Sequence, residues 1–301
     1  MTAERPSGRH IDVRGLGLRV TELGTGGTPT VLLHGGGPGC SAWTDFAAVA
    51  GPLAERRRLI LVDLPQYGDS DSPDITGPLF TFHATHLAGL LDALGIARAD
   101  FVCQSLGGSV ALRLAADHPD RVARLVVTGS QPIPPPKPQP YDAKLAVRAR
   151  EEYYGDGGPS PDKMRALMTA LEWYGPAGPP AATVALRYAH STTRRARELG
   201  TDPARRGTPE DLADALAQVA APVLLLWGAH DPFCGPDYAL ALAQRLPRAD
   251  VFVLGRTSHH PQEERPADYA RAVDAFLTNS PDGPDCLDGI DGPDGRPSSH
   301  P

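Results

Sequence analysis

Residues 101–109, Phe-Val-Cys-Gln-Ser-Leu-Gly-Gly-Ser, constrain this chain more than any other stretch. A short apolar run breaks at a serine, glycines follow, and an Ala/Leu-rich helical pattern continues to His118-Pro119. Strand, sharp turn and helix with a serine at the tip is the context of a nucleophile elbow. The turn is tight, so the residues two before and two after the serine must be small enough for strand and helix to pass closely. Gly107 meets that need, and Cys103 stands where the motif has glycine, a departure its compact side chain permits. A serine between small residues is most often an ordinary turn, so the functional reading rests on what stands elsewhere in the chain.

The flanking pattern supplies that context. Residues 9–25 alternate around Gly15-Leu16-Gly17 as an opening hairpin does. Continuous apolar strands are predicted at Thr30–His34, Leu59–Asp63, Leu125–Val127, Pro222–Gly228 and Asp250–Leu254. Phe80–Gly95 carries Phe82, Leu87, Leu90, Leu91 and Leu94 at helical spacing, with Gly95 as the stop, and Ala267–Leu277 reads as a closing helix. Strands alternating with helices predict an α/β fold with a mostly parallel sheet covered on both faces, and function on such a sheet gathers at the carboxyl ends of the strands. The Pro-rich connector after Ser130 and the helical patches without a strand that follow it predict an inserted helical cap. The expected division is a core of 1–131 and 216–279, a cap of 132–215, and a disordered acidic Gly/Pro-rich tail of 280–301.

A serine nucleophile needs a base to take its proton and an acid to orient that base. Asp231 and His259 each follow a predicted strand, and the order Ser105, Asp231, His259 matches the chain order of one serine-hydrolase class and differs from that of the two protease classes with the same triad. His260 competes next door. The developing oxyanion needs two backbone donors. Leu106, directly after the serine, and Gly36, in the run Gly35-Gly36-Gly37, are the candidates. The glycine run lacks the lysine and spacing of a phosphate-binding loop. His83 and His86 are spaced for a shared helix face but have no third ligand, His34 reads as a structural hydrogen-bonding residue, and no metal or cofactor is expected.

With 301 residues and a formal net charge of −7, the chain has the size of one domain plus a cap and the wrong sign for a nucleic-acid or anionic-membrane partner. The four cysteines are widely spaced with no CxxC pair, the first residues lack an apolar leader, and no run reaches membrane-spanning length. A cytoplasmic enzyme with a small-molecule substrate is the expectation, and a homo-oligomer is left open.

With Ser105, Asp231, His259 and the loop His34-Gly35-Gly36-Gly37-Pro38-Gly39 placed, residues 10–278 resemble a capped α/β-hydrolase. Within that family the chain is most similar to the meta-cleavage product hydrolases, which cleave a carbon-carbon bond in vinylogous diketone acids. The carriers are the loop through Trp43, the Gln104–Gly108 elbow, Arg187-Tyr188 in the cap, and His259 followed by Glu264 and Pro266. The resemblance implies that Arg187, Gln104, Asp45, His260 and Trp43 bind substrate. It also implies serine-dependent cleavage of a small keto acid or diketone. Gln104 and Asp45 stand where the subfamily has Asn, and His260 where it has Trp. Two rivals follow: an ester, lactone or thioester hydrolase with the same machinery, and a ligand-binding protein that keeps the fold without the chemistry.

Overall fold

The structure, a computed structural model, describes residues 5–135, 141, 142 and 144–278. The expected disordered tail and half of the Pro-rich connector lie outside the described residues. The core opens with β1 (Arg9–Val13), β2 (Leu16–Leu23), β3 (Thr30–Leu33), α1 (Ala42–Ala54), β4 (Leu59–Val62), β5 (Ile75–Pro78) and α2 (Leu79–Ala93). It continues through β6 (Ala99–Gln104), α3 (Leu106–Asp117) and β7 (Val122–Thr128). Then come α4 (Leu145–Tyr154), α5 (Pro161–Leu171), α6 (Ala181–Ser191), α7 (Arg194–Thr201) and β8 (Arg206–Thr208). The chain returns to the core with β9 (Val223–Gly228), α8 (Pro236–Ala243), β10 (Ala249–Leu254), α9 (Pro261–Glu264) and α10 (Pro266–Thr278).

Eight strands form one sheet in the order β1-β2-β4-β3-β6-β7-β9-β10. Only the pairings of β1 with β2 and β2 with β4 are antiparallel; the others are parallel. The continuous apolar runs are explained by burial on both faces. Leu33, Phe101, Cys103, Val127 and Leu225 pack toward one cluster with α2 and α3, while Leu32, Val102, Val126, Leu224 and Leu226 pack toward a second with α1 and α10. Alternation along each strand feeds both layers.

Periodicity assigns no helix to α1, and the reason is its environment. Nearly every residue from Ala42 to Leu53 is small or apolar because the helix is buried on most sides, so no polar stripe marks it. Its start is local chemistry: Ser41 and Thr44 form a reciprocal capping box. The second difference is β8, within the stretch read as strandless. Arg206 pairs with Ile75 and Thr208 with Pro78 in a separate two-stranded sheet. Three residues are too few to show a period, and Gly207, at φ +73° against the Ile75 side chain, is required by the close approach. This pairing stitches the exit of the helical segment to the core, aided by Glu210, which accepts from the Phe80 and Thr81 amides at the start of α2. Leu212 and Leu216 already belong to the main core cluster.

The elbow between β6 and α3 is packed without slack. A Cβ on Gly107 would lie 2.4 Å from the Leu33 carbonyl oxygen and 2.6 Å from Leu33 Cβ. Gly107→Ala is expected to cost about 1–3 kcal/mol or more through overpacking, lowering Tm by roughly 4–10 °C; thermal unfolding followed by circular dichroism measures it.

Candidate active site

Ser105 sits between β6 and α3 at φ +48° and ψ −112°, a conformation that L-residues rarely adopt. Hydrogen bonds on both sides of the turn secure it. Its amide donates to the Thr128 carbonyl (2.7 Å), its carbonyl accepts from Ser130 Oγ (2.6 Å) and the Gly108 amide (3.0 Å), and the Gly107 amide next along donates to the His34 carbonyl (3.1 Å). Strain of this kind persists where the surroundings over-determine it. The Ser105 hydroxyl itself makes no hydrogen bond among the described residues, and it opens onto a cavity of about 310 Å³.

His259 and Asp231 come from the loops after β10 and β9, brought together because the two strands are parallel neighbours. His259 Nδ1 lies 2.7 Å from Asp231 Oδ2, with both side chains buried. The other carboxylate oxygen of Asp231 accepts from the Phe233 amide (2.9 Å), which fixes the acid. Gln104 Nε2 donates to the His259 carbonyl (2.8 Å), and Glu264 accepts from the Ser258 amide (2.5 Å), so the histidine loop is pinned on both sides. Phe233 packs on the imidazole at 4.5 Å between centroids. His259 lines the same cavity as Ser105. The serine-histidine hydrogen bond is not made in this state; such contacts commonly tighten only around substrate.

The amides of Leu106 and Gly36 donate to no acceptor among the described residues, and both residues line the cavity. Gly36 is held through its carbonyl, which accepts from Arg150 Nη2 (2.6 Å) and the Tyr67 hydroxyl (3.3 Å). His34 steadies the loop from behind. Its Nδ1 bonds the Gly35 carbonyl at 2.7 Å and its Nε2 accepts from the Leu64 amide at 2.9 Å, the structural role expected of it.

Of the five residues expected to bind substrate, the structure brings only His260 to the cavity wall. Asp45 lies behind the glycine loop, accepting from the Gly35 amide (2.8 Å) and the Thr44 hydroxyl (2.9 Å). Burial opposes its charge, yet the neighbouring His260, His34 and Arg187 hold its pKa below the ordinary value. Gln104 is spent on His259, and Trp43 is packed in the second core cluster. Arg187 is fully buried, hydrogen-bonded to Glu172 and donating Nε to the Pro38 carbonyl (3.1 Å), so it ties α6 to the glycine loop; its Nη2 is buried without a hydrogen-bond partner behind Gly37, and it is not on the wall of the cavity at Ser105. Sequence reasoning missed Arg150 and Arg206, which do line the cavity, because each sits in a stretch with no motif. It also missed Gly129 and Ser130, although they follow β7, and strand ends are where such sheets place function. Among the described residues no three His, Cys, Asp or Glu side chains are placed to hold a metal ion, and Cys40, Cys103 and Cys234 are free and buried.

Residues 29–266 match the family model described as alpha/beta hydrolase fold. The chain belongs to the alpha/beta hydrolase fold family. It is 32% identical over 282 residues to the 2-hydroxy-6-oxononadienedioate/2-hydroxy-6-oxononatrienedioate hydrolase of Burkholderia vietnamiensis, covering 91% of this chain and 96% of that one. It is 32% identical over 279 residues to a 2-hydroxymuconate semialdehyde hydrolase from a Pseudomonas species, covering 91% and 94%. Among solved structures it is similar to a meta-cleavage product hydrolase from Pseudomonas fluorescens, with a TM-score of 0.78, 25% identity, and coverage of 90% and 97%. This alpha/beta hydrolase is therefore an enzyme, and among its described residues no helix is long and apolar enough to cross a membrane.

His260 belongs to a buried charged group with Glu172, Glu263, Asp45 and Arg187. Its Nδ1 lies 2.6 Å from Glu263 and its Nε2 3.8 Å from Glu172. Burial pulls its pKa down, but the Glu172 charge and the Glu263 hydrogen bond outweigh that and raise it to about 9. Burial lifts Glu263 to about 7, and the pair keeps its proton on the imidazole. A raised value in the folded state means stability that is complete below the ordinary histidine value near 6.5 and lost as pH rises through about 9. Tm is expected to fall between about pH 6.5 and pH 9.5, and His260→Gln to flatten that decline; differential scanning calorimetry across the range measures both.

Proposed function

We propose that this enzyme hydrolyses a carbon-carbon bond in a small organic keto acid or diketone through Ser105, His259 and Asp231. The observation that carries the reading is the 2.7 Å link between Asp231 and His259 facing the same cavity as the elbow serine and two unpartnered amides. The names of the relatives support the bond type. His259 takes the Ser105 proton as the oxygen adds to a carbonyl, and Asp231 stabilises the imidazolium that results. The Leu106 and Gly36 amides hold the oxyanion, where the start of α3 adds favourable potential. Collapse of the adduct breaks the carbon-carbon bond; the departing carbanion takes the imidazolium proton. Water, activated by the same histidine, then releases the acid from Ser105. The cavity wall of Leu79, Phe80, Val147, Leu167, Leu171 and Phe233 suits the apolar body of such a molecule. The buried free thiols fit a reducing, cytoplasmic setting.

Incubation with 2-hydroxy-6-oxononadienedioate and, separately, with simple aryl esters decides between carbon-carbon and ester hydrolysis. Loss of the dienoate absorbance is expected; rapid ester turnover without it would overturn the bond assignment. Asp231→Asn is expected to lower kcat by about 10,000-fold with the fold intact, and His259→Ala to abolish turnover. Survival of activity in His259→Ala with its loss in His260→Ala would reassign the base.

A further inference from the structure

The cavity holds two cations that the hydrolytic machinery leaves without counter-charge. Arg206, the first residue of β8, lines the cavity. Its Nε is buried without a partner, and its side chain makes no hydrogen bond or ion pair among the described residues. The carboxylate it feels is that of Asp202, itself 3.4 Å from Arg205. Arg150, on α4, also lines the cavity; it hydrogen-bonds the Gly36 carbonyl and the Tyr67 hydroxyl and has no carboxylate partner among the described residues. Burial and the guanidinium of Arg150 both disfavour the charge on Arg206. Among the described residues the single carboxylate on the cavity wall, Glu172, is already bonded to Arg187. A guanidinium left partly buried without an acceptor, beside a second one, is an arrangement that an anion completes.

We infer that Arg206 and Arg150 together bind a carboxylate of the substrate. The inference rests on the reading of this enzyme as one that takes a keto acid, and it says where the acid group sits. Planar guanidinium groups match a carboxylate in geometry. Because Arg150 also holds the Gly36 carbonyl, the bound anion lies against the loop whose amide faces the reacting carbonyl. The acid end is thereby placed on the β8 side of the cavity, and the apolar body along α4 and α5.

Isothermal titration of 2-oxopentanoate into Ser105→Ala protein tests this without any turnover, so that failure of carbon-carbon cleavage leaves the readout intact. Relative to that parent, Arg206→Met is expected to weaken binding by roughly 10- to 100-fold, the loss of a hydrogen bond to a charged group. Arg206→Lys, which keeps the charge and most of the stem, is expected to weaken it less. In Arg206→Met the preference for 2-oxopentanoate over uncharged 2-pentanone is expected to collapse. A thermal melt confirms that each variant is folded. Equal affinity of parent and Arg206→Met for the keto acid would overturn the assignment, as would a parent that does not distinguish the keto acid from the ketone.

Discussion

Ser105 is held in a backbone conformation it would not choose, and the rest of the molecule can be read as the means of holding it there. The strand before it is locked between β3 and β7, its amide and carbonyl are tied to Thr128 and Ser130, and α3 starts against Leu33 with no room for a side chain at position 107. Strain at one residue costs of order 1–3 kcal/mol. It survives because both core clusters pack on the strands that flank the turn. The result is a hydroxyl exposed at the sheet's carboxyl edge with an unpartnered amide next to it.

A second constraint operates where the segment of α4–α7 meets the main sheet and its helices. Arg187, Glu172, His260, Glu263 and Asp45 form a buried charged network that reaches from α6 and the end of α5 to α1 and the histidine loop. Each member has a partner, which is what makes the burial tolerable. His260 thus makes this part of the cavity wall polar, and Arg187 holds α6 against the glycine loop. Arg150 and Arg206, also on the cavity wall, have no ion pair with this network.

The fold and the proposed triad were legible in the sequence because they are written locally: apolar runs for strands, glycines for the elbow, and three residue types at strand ends in a particular order. Asp231 and His259 could be picked out since their loops follow β9 and β10. The substrate wall was not legible. Arg187 was named from resemblance, and its fate depends on Glu172, fifteen positions away just after α5. Arg206 gains its place from a three-residue strand that exists only through pairing with Ile75 and Pro78. α1 was hidden because its exposed positions, Ala48, Gly51 and Pro52, carry no polar side chain to mark a solvent face.

Gly129 has a wider implication. A Cβ there would fall 2.6 Å from the His259 ring, and one at Gly228 would fall 1.8 Å from the Ser258 oxygen. Together with the elbow glycines these positions form a floor on which no side chain can be grown, so natural drift and laboratory libraries alike are shut out of the reacting half. The opposite half, where Ala146 and Val147 on α4 are exposed and line the cavity, has open volume to vary. New specificities in this scaffold should therefore arise as changes of ceiling above an immutable hearth.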